Sequence, residues 1–290
     1  MFLRLSLAVF IAAALLVGPI AKGAAADTFV FTAIPDQDES QLRTRFGKVA
    51  DYLSKSLGIE VRYVPVKSYS AAVTAFRNNQ VQLAWFGGLS GVRARQLVPG
   101  SQAIAQGKED ETFVTYFIAN AATGLQETKA FPKGIAGKSF SFGSKGSTSG
   151  RLMPEFYIRK ELGKAPMDVF SRVGFSGDHS RTIAVVQSGA YEIGALNFKV
   201  WERELKAGKI DPKKVRVIWR TPTYPDYQWT IRGDVESKFG KGFIEKVKAS
   251  LLSMNDPDLL KSFPRSSFIP ATNADYKPIE NTAKSIGLID

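Results

Sequence analysis

The sequence predicts an α/β protein built as two successive lobes with mostly parallel sheets. Short β-branched and aromatic runs alternate with segments of helical period, and the order β-α-β-α-β is interrupted by an extended stretch before it restarts. No low-complexity tract and no repeat of solenoid length breaks the pattern. At 290 residues, 44% hydrophobic and 23% charged, the chain can bury a full core and divide in two.

Residues 1–26 stand apart from the fold. Arg4, an apolar run from Leu5 to Val17, the break Gly18-Pro19 and the small residues Ala24 and Ala26 read as a secretory signal peptide cut after Ala26. The run is shorter than the roughly 20 apolar residues of a spanning helix. The chain has no cysteine, so it carries neither a lipid-anchored cysteine nor disulfides, and its stability rests on its core. The expected location is periplasmic.

"TFVFTAI" is the first strand. "DESQLRTRFGKVADYLSKSLG" follows as a helix, with Leu42, Phe46, Val49, Leu53 and Leu57 on one face and Gly58 at its end. "EVRYVPV" is a strand, "SYSAAVTAFRNNQ" a helix capped by Ser68, and "VQLAWFGG" a strand running into a glycine turn. A helix to Val98 and a long strand "ETFVTYFIANA" close this half. The second half reads strand "GKSFSFG", helix "TSGRLMPEFYIRKELG", strand "FSRVGFS", helix "DHSRTIAVVQSG" and strand "YEIGALN". "KVRVIWRTPTYPDYQWTIRGD" is extended and broken by Pro222 and Pro225; "SKFGKGFIEKVKASLLSM" and "YKPIENTAKSIGLI" are C-terminal helices. The extended stretches near 112–121 and 217–232 suit two crossings between lobes, giving lobe 1 as 27–118 plus 228–290 and lobe 2 as 119–227.

Net charge is +12, and +10 once Arg4 and Lys22 leave with the signal peptide. Such a surplus attracts anions. No dense Lys/Arg run or nucleic-acid fold signature accompanies it, so a nucleic-acid partner is not expected. "GSKGSTSG" is no phosphate loop, because its lysine precedes the second glycine, and G-x-G-x-x-G is not matched. A single histidine, His179, leaves no multi-histidine metal site, and no G-x-S-x-G frames a nucleophile. No cofactor, metal or catalytic residue is expected.

Three strand ends carry small polar residues: "WFGGLSG", "FGSKGSTSG" and "FSGDHSRT". In open α/β sheets, ligands bind beyond the carboxyl ends of strands, so these turns point at one crevice. Ser147, Thr148 and Ser149 sit where a strand turn enters a helix, where free N–H groups, the helix dipole and hydroxyls can converge on an oxyanion. One of them capping the helix and the others facing water is the competing reading. His179 follows a strand in the same crevice as a donor to a ligand. Tyr69 stands in the first turn of an early helix, and Asn197 ends the strand "YEIGALN". Phe86, Gly87 and Ser90 come from the first glycine turn.

The ordered segments "VPVKSYSAAVTAFRNNQVQLAWFGGLSG", "FGSKGSTSGRLMPEFYI", "FSGDHSRTIAVVQSGAYEIGALN" and "TPTYPDYQW" resemble the periplasmic phosphonate- and phosphite-binding proteins of ABC transporters, over nearly the whole chain after residue 26. The wording is most similar to a branch labelled selenate-binding, which "FTAIPDQDES" and "SFPRSSFIPATNADY" also resemble. The resemblance implies a type II periplasmic solute-binding fold with two crossover strands, closing on its ligand and docking on a membrane permease, and a monomer. It implies that Ser147, Thr148 and Ser149 wrap the anion, with His179 and Tyr69 beside it and Asn197 near the ligand's non-anionic end. Similar proteins often read WFGP followed by an aromatic, whereas this chain has Trp85-Phe86-Gly87-Gly88-Leu89-Ser90-Gly91, which opens one wall. A compact tetrahedral oxyanion such as selenate or phosphite then fits at least as well as an organophosphonate. A periplasmic hydrolase of phosphate or sulfate esters is the alternative, built on Ser147 and His179.

Overall fold

The computed structural model describes residues 27–290, so the expected signal peptide lies outside the described residues. The first half runs β1 (Phe29–Ala33), α1 (Glu39–Leu57), β2 (Val61–Tyr63), α2 (Tyr69–Arg77), β3 (Leu83–Phe86), α3 (Gly88–Leu97) and β4 (Gln102–Gly107). The second runs β5 (Thr115–Asn120), β6 (Ser139–Phe142), a π-helical turn at Thr148–Leu152, α4 (Met153–Leu162), α5 (Pro166–Val169), β7 (Arg172–Phe175), α6 (His179–Gln187), β8 (Ile193–Asn197), α7 (Phe198–Lys206) and β9 (Val215–Arg220). The chain then returns through β10 (Gln228–Ile231), α8 (Glu236–Phe239), α9 (Phe243–Leu252), α10 (Pro257–Ser262), β11 (Phe268–Pro270) and α11 (Lys277–Ser285).

Local chemistry sets these bounds. Asp38 caps α1 by accepting from Ser40 and Gln41 N–H, and Gly58 ends it at φ 69°, where a side chain would be strained. Leu42, Phe46, Val49 and Leu53 are buried on one face of α1, as their spacing predicts. Ser68 caps α2 through Ala71 N–H.

Two sheets result, ordered β11-β4-β10-β3-β1-β2 and β7-β6-β8-β5-β9. The βαβ units are parallel, β1 with β2 and β3, β6 with β7 and β8. β4, β5, β9, β10 and β11 add antiparallel pairs. The sheets are therefore mixed rather than mostly parallel. The cause is topological: β5 and β10 each enter their sheet directly from the other lobe, without a helical crossover to reverse their direction. Sheet membership divides the chain between Gly107 and Thr115 and again between Arg220 and Gln228, so all of β5 belongs to the second sheet, including the residues before 118.

The two connections run side by side. Phe113 and Tyr224 bridge across them, and Asp226 N–H donates to Asp110 O at 3.0 Å. Beneath them lies a buried ion pair, Arg265 to Asp110, with Nε to Oδ2 at 2.7 Å and Nη2 to Oδ1 at 2.8 Å. The Arg265 guanidinium also lies 5.3 Å from the Tyr227 ring centre and 5.8 Å from that of Trp85. The aromatic core of the first lobe, Phe31, Phe46, Trp85, Trp229 and Phe263, continues from there, with Trp85 and Trp229 centroids 5.3 Å apart.

Candidate functional site

The strand-to-helix turn after β6 is wider than an α-helical start. Leu152 N–H reaches Ser147 O at 3.0 Å and Met153 N–H reaches Thr148 O, the spacing of a π turn. Pro154 explains part of this, since it has no N–H to give. The carbonyls it leaves are used elsewhere: Gly143 N–H donates to Gly150 O at 2.8 Å, and the Thr115 hydroxyl donates to Ser149 O at 3.0 Å. Ser147 caps the turn, its Oγ accepting from Gly150 N–H at 2.9 Å. The competing reading of the sequence thus holds for Ser147, and the first N–H groups of the turn keep no helical partner. Among the described residues, Ser149 Oγ is buried with no hydrogen bond of normal geometry, the Tyr224 hydroxyl being its polar neighbour.

The lobes meet at this turn. Leu89 N–H, at the start of α3, donates to Thr148 Oγ1 at 3.0 Å across the seam. Gly88 N–H donates to Asp226 Oδ1 at 2.8 Å, while Asp226 Oδ2 is buried and makes no hydrogen bond of normal geometry among the described residues. Burial pushes the Asp226 carboxyl up to about 7, against the opposing pull of the Gly88 N–H and the Thr148 hydroxyl. Tyr69, almost wholly buried, turns its hydroxyl toward Ser147, and burial raises it well above the usual phenol range.

A second cluster closes the other side. His179 opens α6 and is fully buried; its N–H donates to Asp36 O at 3.1 Å. Its Nδ1 accepts from Asn197 N–H at 3.4 Å, so the neutral ring carries its proton on Nε2, which lies 3.5 Å from the Tyr227 hydroxyl. Burial lowers His179 to about 4, with Asp36 pulling the other way. The ring is therefore an uncharged donor at neutral pH. Tyr227 donates to Asp36 Oδ2 at 2.9 Å and accepts from Asn197 Nδ2 at 3.0 Å. Asn197 is also the cap of α7, its Oδ1 accepting from Lys199 N–H at 2.7 Å.

Of the residues expected from the sequence, Ser147, Thr148, Ser149, Tyr69 and Gly87 come together at the seam, and His179 and Asn197 line the adjoining cluster. A Cβ on Gly87 would lie 3.4 Å from Thr148 Oγ1, so its place in the turn is one of close approach. Ser90 spends its hydroxyl on Gly87, 3.1 Å from both its N and its O. Phe86 packs its ring on Phe76, centroids 5.6 Å apart, inside the first lobe. Only its main chain can face the seam. Sequence reasoning did not single out Asp36, Asp226 and Tyr227, although "FTAIPDQDES" and "TPTYPDYQW" were among the resembling segments. All three sit in loops, with no periodicity to mark the two carboxyls and the phenol.

Gly146 marks how tightly the lobes approach. A Cβ there would lie 3.0 Å from Tyr69 Cβ on the opposite lobe. Gly146→Ala is expected to hold the lobes apart and weaken ligand binding about tenfold or more, since overpacking costs roughly 1–3 kcal/mol. Titration calorimetry beside thermal unfolding of the free protein checks this; unaltered affinity would mean that the lobes need not come this close.

The phosphonate model of ABC-transporter periplasmic substrate-binding proteins matches residues 31–276. The chain belongs to that family. It is 40% identical over 264 residues to the probable ABC transporter phosphite binding protein PhnD1 of Prochlorococcus marinus, covering 89% of each chain. It is 24% identical over 294 residues to the phosphate-import protein PhnD of Mycolicibacterium smegmatis, covering 90% of this chain and 86% of that one. The crystal structure of PhnD1 with methylphosphonate superposes with a TM-score of 0.86, covering 90% of this chain and 99% of PhnD1. A binding protein of an ABC phosphonate transporter from Pseudomonas aeruginosa, 18% identical with a TM-score of 0.77, shares the fold, covering 88% and 85% of the two chains. The chain thus has the type II periplasmic-binding fold and is the periplasmic substrate-binding component of an ABC transporter, working with a membrane permease. The hydrolase alternative finds no support: the relatives are transport proteins, and the His179 nitrogens meet Asn197 and Tyr227 rather than a serine hydroxyl.

Proposed function

We propose that this protein captures a small tetrahedral oxyanion that still carries a proton, phosphite or a short alkylphosphonate such as methylphosphonate, between Ser147-Thr148-Ser149 with His179 of the second lobe and the facing Tyr69 and Asp226, and delivers it as an exported monomer. The observation that carries this reading is the pairing of the π turn's free donors with a buried carboxyl whose Oδ2 makes no hydrogen bond of normal geometry among the described residues. N–H and hydroxyl donors suit the ligand's oxygens. The carboxyl needs a proton shared with it, which a monoprotonated phosphite or phosphonate brings. Sulfate and selenate are fully ionised at neutral pH and bring none. The 40% identity to a phosphite binding protein, and that protein's structure with methylphosphonate, support the same ligand class. Among the two compact anions that the resemblance implies, this favours phosphite over selenate.

Thermal unfolding of residues 27–290 with phosphite, methylphosphonate, phosphate, sulfate and selenate tests this, because a ligand that binds only the folded state raises the midpoint. Phosphite or methylphosphonate should give the largest shift, and Ser147→Ala with Thr148→Ala should abolish it while the free protein stays folded. A larger shift with selenate, or a full response in the double variant, would overturn the ligand class or the site respectively.

A further inference from the structure

The turn assigned to the anion needs something to hold its shape, and the candidate is a charged side chain packed within the second lobe. Arg151 follows Ser147-Thr148-Ser149-Gly150 and lies inside the π turn. Its guanidinium sits 4.5 Å from the Phe142 ring centre and 5.1 Å from that of Phe175. Those rings stack on each other at 5.5 Å. Phe142 is the last residue of β6, the strand from which the loop 143–147 departs, so this contact ties the end of the loop to its beginning. The other side of Arg151 is held by Glu155, 2% exposed, through a short ion pair one helical turn on. Glu155 also binds Arg159, with Nε to Oε1 at 2.9 Å and Nη2 to Oε1 at 2.7 Å.

We propose that Arg151, clamped between Glu155 and the Phe142–Phe175 ring pair, is a positioning residue that holds the Ser147–Ser149 turn in its anion-binding shape. The inference rests on the assignment of that turn as the ligand site. Every part of the clamp comes from the second lobe, so the turn is shaped before the lobes close. Ordering it in advance removes that cost from the binding step. A planar guanidinium suits the task, because it stacks on an aromatic face and binds a carboxylate at the same time. A lysine has no such plane.

Arg159 provides the control. It shares the same carboxylate but lies in α4, beyond the turn. Binding of phosphite and methylphosphonate is measured by calorimetry for Arg151→Met, Arg151→Lys, Arg159→Met and Glu155→Gln, with thermal midpoints of the free proteins alongside. Arg151→Met is expected to weaken binding tenfold or more, Arg151→Lys to recover little of it, and Arg159→Met to change affinity less than twofold, although both Met variants lower the free midpoint. Should Arg151→Met fail to fold, Glu155→Gln carries the test, with the same loss expected. Equal effects of Arg151→Met and Arg159→Met on affinity would overturn the proposal, leaving the pair a plain stabiliser of α4. The Ser147→Ala, Thr148→Ala double variant separates the two failures. If it loses binding while Arg151→Met does not, the clamp alone is wrong; if it binds as the unaltered protein does, the site and the clamp fall together.

Discussion

Asp226→Asn is expected to weaken phosphite and methylphosphonate binding by roughly 10- to 100-fold and to strengthen sulfate and selenate binding. A hydrogen bond to a charged group contributes about 1.5–3 kcal/mol, and about 1.4 kcal/mol is a factor of ten. Asp226 Oδ1 already takes the Gly88 N–H and the Thr148 hydroxyl lies close to the carboxyl, whereas the buried Oδ2 makes no hydrogen bond of normal geometry among the described residues. A ligand O–H can donate to Oδ2, and an asparagine amide in its place offers a donor instead. The amide repels that O–H and welcomes a bare oxygen. The titration of the carboxyl near 7 adds a pH signature. Below that value the acid is protonated and can donate to a fully ionised ligand. Above it, the carboxylate faces a dianion, so sulfate affinity should fall about tenfold per pH unit from 7 upward. In Asp226→Asn this slope should vanish. Calorimetry with phosphite and sulfate from pH 6 to 9 reads both effects. If the phosphite-to-sulfate ratio stays the same in the variant, Asp226 does not choose the ligand.

The same carboxyl affects the free protein. Its pKa is raised from about 3.9 when unfolded to about 7 when folded, so the folded state holds the extra proton between those values and stability falls as pH rises through them. His179 has the opposite sign. Its folded value near 4 lies below the unfolded value near 6.5, so its contribution is lost as pH falls through that window. The two oppose each other from about pH 4 to 6.5.

How much of this was legible depended on distance along the chain. The face of α1 could be read because Leu42, Phe46, Val49 and Leu53 keep a helical period. The strand-to-helix turn at Ser147, Thr148 and Ser149 could be read because three small hydroxyl residues stand together after a β-rich run and before a segment of helical period. β4 and β11 could not. "QAIAQG" is alanine-rich and "FIP" is three residues long, and both become strands only by pairing with chain more than a hundred residues away. The π turn was hidden for a similar reason. Pro154 is compatible with an ordinary first turn, and what widens it involves Gly143 and Thr115, outside the segment. Asp36 and Tyr227 meet across 191 positions of sequence, and no local pattern encodes that.

The largest loss of stability is expected beneath the two connections. Asp110→Ala should cost roughly 3–5 kcal/mol, because it leaves the Arg265 guanidinium buried without its partner. The cause is the strandedness of the charge rather than the worth of the pair. Asp110→Leu combined with Arg265→Met should therefore regain much of the loss. Urea unfolding followed by fluorescence can localise the effect: Trp85 and Trp229 lie in strands of the first sheet, Trp219 in a strand of the second, and Trp201 in the α7 helix that follows β8. The first pair should report the shift more strongly. A single variant that costs under about 1 kcal/mol, or a double variant no more stable than the single, would show that the pair does not anchor this region. The consequence reaches the ligand as well. The Asp110 main-chain O receives the Asp226 N–H at 3.0 Å, and its side-chain Oδ2 accepts from Gly107 N–H at 3.1 Å, so the side chain holds the main chain whose carbonyl in turn sets the level of the second connection. With that level loosened, Asp226 no longer meets the seam at a fixed height. Asp110→Leu with Arg265→Met should then recover stability without recovering the preference for phosphite over sulfate, because burying two apolar side chains restores packing but not the position of the carboxyl.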